Sequence, residues 1–180
     1  MLKPESIRQL EQIVGKDFIL TAKEDFATYA YDGTTTWSGT PDVVVLPTTA
    51  DQISAVLKFA NEHGIPVTPR GSGTNISGGS IPTRGGIVLC TTRMNRVLDI
   101  NAANLTATVE PGVVLQDLNN LLAKENLFYP PDPQSFLSCT VGGTVAENSG
   151  GPLCIKYGVT KQYVLGLEVV PHGLRRHTGH

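Results

Sequence analysis

The stretch Arg70-Gly71-Ser72-Gly73-Thr74-Asn75-Ile76-Ser77-Gly78-Gly79 decides how the rest of this chain is read. It follows Ile65-Pro66-Val67-Thr68-Pro69, which reads as extended. After it come Ile81-Pro82-Thr83-Arg84-Gly85-Gly86 and the apolar run Ile87-Val88-Leu89-Cys90, the next strand. Glycine takes positive φ without steric cost and lets a ligand approach the main chain. Successive N–H groups in such a turn converge into an anion-binding hollow. Arg70 adds a fixed charge with donors suited to phosphate oxygens. A pyrophosphate meets these demands. Two alternatives fail on spacing. A P-loop needs a Lys directly after its last glycine, and none follows Gly78. A Rossmann turn needs a helix to begin inside the loop, whereas the next element here is a strand. The usual NAD site is therefore disfavoured.

Alone, such a loop is as readily explained as the punctuation of a tight turn. A second cluster, Thr140-Val141-Gly142-Gly143-Thr144-Val145-Ala146-Glu147-Asn148-Ser149-Gly150-Gly151, shifts the balance. The stiff segment Pro131-Asp132-Pro133 lies just before it. Two glycine-rich loops separated by a core-forming stretch suggest one long ligand held at two places, and a dinucleotide is long enough.

Outward from these loops, the chain divides into ordinary elements. Pro4 suits the first turn of a helix whose face is Ile7, Leu10 and Val14, and Gly15 can stop it. Thr21 and Glu24 have capping-box spacing before a short helix carrying Phe26. Residues 32–41 read as a loop and Asp42-Val43-Val44-Val45-Leu46 as a buried strand. Thr49 and Gln52 make another capping box, followed by the stripe Ile53, Val56, Leu57 and Ala60 and a stop at Gly64. With the extended 65–69 this is a β-α-β unit. Residues 96–100 and 105–110 flank Asn101-Ala102-Ala103-Asn104 as a hairpin. Val114, Leu115, Leu118, Leu121 and Leu122 share a helical face, Phe128 and Tyr129 start an extended piece, and the last strand is 164–170. The mixture of a β-α-β unit with a hairpin predicts an α+β fold with mixed sheets.

Composition bounds the function. The 180 residues carry 14 Lys and Arg against 16 Asp and Glu, a net charge of −2, which argues against nucleic acid as a partner. At 40% hydrophobic and 17% charged the chain is globular rather than disordered. No apolar run is long enough for a transmembrane segment, and residues 1–5 lack a secretory signal. Three cysteines (Cys90, Cys139 and Cys154) without a Cys-x-x-Cys pair read as buried thiols of a cytoplasmic protein. Trp37 and Tyr31 read as rim packing, and Arg175 and Arg176 as a solvated pair. Glu24, Asp25 and Asp32 make no carboxylate pair suited to acid–base work. Tyr157 is as well explained by packing as by function. No metal ligand or catalytic residue is assigned.

The ordered motifs Pro69 to Asn75, Pro130-Pro131-Asp132-Pro133, Thr140 to Gly143, Glu147 to Gly151 and Lys156-Tyr157-Gly158 resemble the N-terminal part of an FAD-linked oxidase of the PCMH or vanillyl-alcohol oxidase type. The nearest likeness is to the flavin subunits of bacterial glycolate oxidases and to D-lactate dehydrogenases. It runs from about residue 5 to residue 170 and includes Asp42 to Pro47 and Gly64 to Val67. The resemblance implies that Arg70, Gly71, Ser72, Gly73, Thr74 and Asn75 wrap the FAD pyrophosphate through backbone N–H groups. Asp132, Pro133, Ser138 and Thr140 would lie along the cofactor. Val141, Gly142, Gly143, Glu147, Asn148 and Ser149 would complete the wall near the pyrophosphate and ribityl chain. Some relatives attach flavin through a His in the first loop. Thr74 holds that position here, which implies non-covalent FAD.

The family fold is longer, with further strands and a cap domain that holds the substrate. The expectation is therefore the N-terminal part of the FAD-binding domain over 1–170, an atypical tail over 171–180, and a truncated family fold. The parent reaction would pass a hydride equivalent from a 2-hydroxyacid such as glycolate or D-lactate to flavin N5. Alone, the chain is expected not to perform it, and the 2-hydroxyacid would be a substrate only of a full-length form. A strand at 164–170 with nothing after it would leave an open sheet edge, inviting a homo-oligomer or contact with other oxidase subunits. The location expected is cytoplasmic, or peripheral to the inner membrane through such subunits. Two alternatives stay open: a chain that keeps the fold without binding FAD, and a module that uses the anion loops for another nucleotide.

Overall fold

The computed structural model describes residues 2–34 and 36–171 and the backbone of 177–179. The N-terminal half is a four-stranded sheet with helices on both faces. Helix α1 (Pro4–Val14) has Pro4 in its first turn, buries Leu10 and Val14, and ends at Gly15 with φ 92°. Strand β1 (Ile19–Leu20) leads into α2 (Lys23–Tyr29), which buries Phe26. The expected cap at Thr21 does not form. The helix starts after Ala22, so Thr21 stands one residue too early, and the first turn closes by backbone alone, with Asp25 N–H donating to Ala22 O at 3.1 Å.

Strand β2 (Val43–Val45) is wholly buried. Helix α3 (Ala50–Glu62) is capped by Thr49, whose hydroxyl accepts from Gln52 N–H at 3.2 Å. The Gln52 side chain reaches past the cap to accept from Thr48 N–H at 2.7 Å, so the box closes one residue further out than in its usual form. Strands β3 (Val67–Arg70) and β4 (Ile87–Cys90) complete the sheet in the order β1-β2-β4-β3. The β2-α3-β3 crossover therefore leaves a gap that β4 fills, parallel to both neighbours, while β1 is antiparallel to β2. Alternation along the strands sorts the core. Val43, Val45, Ile87 and Leu89 join Leu10, Val14, Val56, Phe59 and Ala60 on one face, and Val44, Val88 and Cys90 join Phe26 on the other.

Strands β5 (Val97–Asn101) and β6 (Thr106–Val109) form the expected hairpin, turned by Leu105 at φ 55°. Its base is clamped by Glu110. The carboxylate accepts from Arg96 N–H at 2.8 Å and from the Arg96 guanidinium at 2.7 Å. Helix α4 (Leu115–Leu122) packs Leu118 and Leu122 with Val113, Val97, Ile100 and Val109 into a second core.

The second glycine cluster is not a loop. It forms helix α5 (Val141–Glu147), capped by Thr140. Glycine disfavours helix by about 1 kcal/mol per residue, but close packing overrides this. A Cβ on Gly142 would stand 2.7 Å from Pro111 Cβ. After α6 (Cys154–Tyr157), strand β7 (Leu167–Val169) is shorter than the 164–170 expected and pairs antiparallel with β8 (His177–Gly179). Residues 177–179, in the segment expected as an atypical tail, thus pair with one side of β7, and the resulting ribbon has two strands. Arg175 and Arg176 lie outside the described residues. Among the described residues no helix is long and apolar enough to cross a membrane.

Hydrogen bonding to Arg96 holds the Glu110 carboxyl below its usual range. A depressed folded-state value stabilises the fold above the ordinary carboxylate pKa and is lost as pH falls through the folded value. Glu110→Gln should therefore flatten the acid limb of stability between about pH 5 and about pH 3. Urea midpoints measured across that range check this.

Candidate functional site

The loop that leaves β3 is held by a buried interlock with the segment after α2. Arg70 is 6% exposed. Its guanidinium donates to Tyr31 O at 2.7 Å, Thr28 O at 3.1 Å and Ser80 O at 3.5 Å, and lies over the Tyr29 ring. Burial pushes the Tyr29 phenol up, keeping it neutral there. The guanidinium that sequence assigned to phosphate is thus engaged with protein carbonyls and shapes the loop from behind. Gly73, at φ 71°, is required because a Cβ there would run into that guanidinium.

Asp32 makes the reciprocal grip. It is 5% exposed, and its Oδ2 accepts from Asn75 Nδ2 at 2.6 Å and from Gly78 N–H at 2.9 Å. Its Oδ1 accepts from Thr34 N–H at 2.8 Å. Ser80 donates its hydroxyl to Asn75 Oδ1 at 2.7 Å, closing the loop on itself. In the sequence Asp32 stands only as a carboxylate unsuited to acid–base work. Its one local signal is the Asp-Gly-Thr order, which suits an Asx turn. Its bonds to residues 75 and 78 are tertiary.

The two glycine clusters meet in space. Gly71 lies directly against Thr140 Oγ1, with no room for a Cβ. Thr140 is 2% exposed and also caps α5. Ser77 donates its hydroxyl to Glu147 Oε1 at 2.7 Å, tying the far end of the loop to the end of α5.

The main-chain donors of the two clusters differ. Among the described residues, the N–H groups of residues 71–77 donate to no protein acceptor. Those of Val141, Gly142, Gly143 and Thr144 are engaged, donating to Val113 O, Pro111 O, Thr140 Oγ1 and Thr140 O at 2.8 to 3.3 Å. Of the remaining predicted residues, Asp132, Asn148 and Ser149 bond to the chain beyond α5, while Pro133 and Ser138 bond within the segment before it. Asp132 Oδ1 accepts from Leu153 N–H at 2.9 Å, and Pro133 O accepts from Phe136 N–H at 2.8 Å. Ser138 turns back on Ser135 O. Asn148, at φ 48°, accepts from Lys161 N–H at 2.9 Å, and Ser149 O accepts from the Thr160 hydroxyl at 2.7 Å. Trp37 packs on Gly78 beside an open hollow of about 530 Å³ lined also by Thr36, Ser38 and Thr83. Among the described residues no group of His, Cys, Asp and Glu is arranged to hold a metal ion.

Residues 41–173 match the model of a protein family described as an FAD binding domain. The chain belongs to that family. The FAD binding domain here is 45% identical over 170 residues to glycolate oxidase subunit GlcD of Bacillus subtilis, covering 94% of this chain and 36% of that protein. It is 37% identical to a D-lactate dehydrogenase of Anaerostipes hadrus, covering 93% of this chain and 35% of the relative. Among solved structures, alkyldihydroxyacetonephosphate synthase matches with a TM-score of 0.85 at 25% identity, over 94% of this chain and 33% of that one. The chain thus spans about a third of the length of the relatives it matches. p-Cresol methylhydroxylase, at 24% identity and a TM-score of 0.72, shares the fold.

The Gly71–Thr140 contact yields a graded prediction. Gly71→Ala pushes a methyl into Thr140 and should destabilise the domain by about 1–3 kcal/mol. Gly64→Ala has open space around it and meets only the cost of φ 62°, about 1 kcal/mol. Urea unfolding of the two variants should rank them in that order.

Proposed function

We propose that this chain is the part of a flavoenzyme that grips the pyrophosphate of a non-covalently bound FAD, and that the parent reaction oxidises a 2-hydroxyacid of the glycolate or D-lactate kind. The observation that carries the reading is the run of N–H groups at residues 71–77 that find no acceptor among the described residues, in a loop fixed from behind and closed in front by α5. Residues 71–75 are half-buried, where unpaired donors are costly, and an anion with several acceptor oxygens satisfies them together. The 71–77 amides would hold the pyrophosphate, and Arg70 acts through the loop rather than on the phosphate. Residues 140–144 supply a wall and not donors. Glu147 ties that wall to the loop through Ser77, Asp132, Asn148 and Ser149 hold the segments that follow it, and Pro133 and Ser138 shape the turn that leads into it. FAD supplies the two-electron redox chemistry. Thr74 provides no imidazole for a covalent flavin link. The relatives' names support the 2-hydroxyacid class. Because the matched relatives are about three times as long, the substrate-holding residues are assigned to parts of the enzyme outside this chain, and the chain by itself is inactive.

Trp37 is the single tryptophan and lies against Gly78. Titration with FAD should therefore quench its emission saturably. ADP should compete, since it carries the pyrophosphate, and riboflavin, which lacks phosphate, should not. Riboflavin competing as well as ADP would overturn the pyrophosphate assignment. With FAD and a dye acceptor, neither glycolate nor D-lactate should be turned over, and measurable turnover would overturn the assignment of the substrate site elsewhere.

A further inference from the structure

We infer that Asp32 is the positioning residue of the FAD loop: its buried carboxylate sets the shape in which the 71–77 amides stay available to an anion. The inference rests on the FAD reading above. Asp32 and Arg70 make a crossed pair of grips. Arg70, at the start of the loop, holds the carbonyls of Thr28 and Tyr31. Asp32, in the segment just after those carbonyls, holds Asn75 and Gly78 at the other end of the loop. Each segment thereby offers the groups the other needs: carbonyls to the cation, N–H groups to the anion.

The chemistry requires a carboxylate. The donors facing Asp32 are the N–H of Thr34, the amide NH2 of Asn75 and the N–H of Gly78. An ionised carboxylate is an acceptor at both oxygens and satisfies all of them. An asparagine has one carbonyl oxygen and one NH2. It can accept from Thr34 or from the Asn75 and Gly78 pair, and must turn a donor toward the other set. Gly78 is the pivot, since its N–H is held by Asp32 while Trp37 packs on its open side. Without the carboxylate, Gly78 N–H and Asn75 Nδ2 must find acceptors elsewhere. The loop then folds back on its own carbonyls and consumes donors that the ligand would use. Asp32 touches no cofactor in this account.

The test compares Asp32→Ala, Asp32→Asn and a control, Asp42→Asn. Asp42 also caps a glycine N–H, that of Gly86 at 3.0 Å, but away from the loop. FAD affinity, thermal midpoint and hydrogen exchange of the ligand-free proteins are measured for each. Asp32→Ala is expected to weaken FAD binding by about tenfold or more and Asp32→Asn by a smaller factor, on the scale of hydrogen bonds to a charged group. Asp42→Asn should lower the midpoint and leave the affinity unchanged. Amides of residues 71–80 should change their exchange rates in the Asp32 variants, while those of β4 do not. Equal FAD affinity in wild type and Asp32→Ala would overturn the inference. A wild-type protein that binds no FAD would instead remove the cofactor reading. Exchange in the loop then decides: unchanged rates in Asp32→Ala overturn the positioning role, and changes confined to the loop support it.

Discussion

The rest of the site depends on one steric constraint, the direct approach of Gly71 to the Thr140 hydroxyl. It joins the end of the parallel sheet to the cap of α5, two parts of the chain that belong to different cores. Only a residue without a side chain permits it. Once the two are in contact, Ser77 can reach Glu147, and the loop becomes a closed rim rather than an open turn.

Around that contact the protein separates two kinds of backbone donor. At α5 every early N–H is engaged, because Pro111, Val113 and Thr140 supply acceptors within 2.8 to 3.3 Å. Those of residues 71–77 in the loop after β3 find no acceptor among the described residues, because the polar neighbours of that stretch act on side chains and carbonyls instead. A buried cation engages carbonyl oxygens, and a buried carboxylate engages only residues 75 and 78 of the loop. Charges are costly to bury unless their bonding capacity is met. Here each is met by main-chain and amide groups of the opposite polarity rather than by a direct ion pair. The loop is thus braced at both ends while its 71–77 amides stay out of those bonds.

Local signals were legible where one short stretch decided the outcome. The Val43–Val45 strand, the Thr49 cap, the Gly15 and Gly64 stops and the 97–109 hairpin follow from patterns within a few residues. The reading went astray where a distant neighbour held the deciding vote. Gly142 and Gly143 lower helix propensity, and only the nearness of Pro111 explains why they lie in a helix. Thr21 is a local exception, with the right spacing for a cap but a backbone that turns one residue later. Residues 177–179 look unremarkable until they lie beside Leu167–Val169.

By itself the sequence determined the identities that steric and chemical rules act upon: glycines where side chains cannot fit, apolar residues at strand and helix period, and an ordered set of motifs that marks an FAD binding domain. Tertiary structure decided which donors remain available. Arg70 reads as a phosphate ligand in one dimension and becomes a brace in three, because Thr28, Tyr31 and Ser80 bring carbonyls to it. Asp32 reads as one of several loop carboxylates and becomes an anchor of the loop after β3, because two of its partners, Asn75 and Gly78, lie more than forty residues away in sequence. Hydrogen-bond satisfaction is a property of neighbours in space, and a linear pattern does not contain those neighbours.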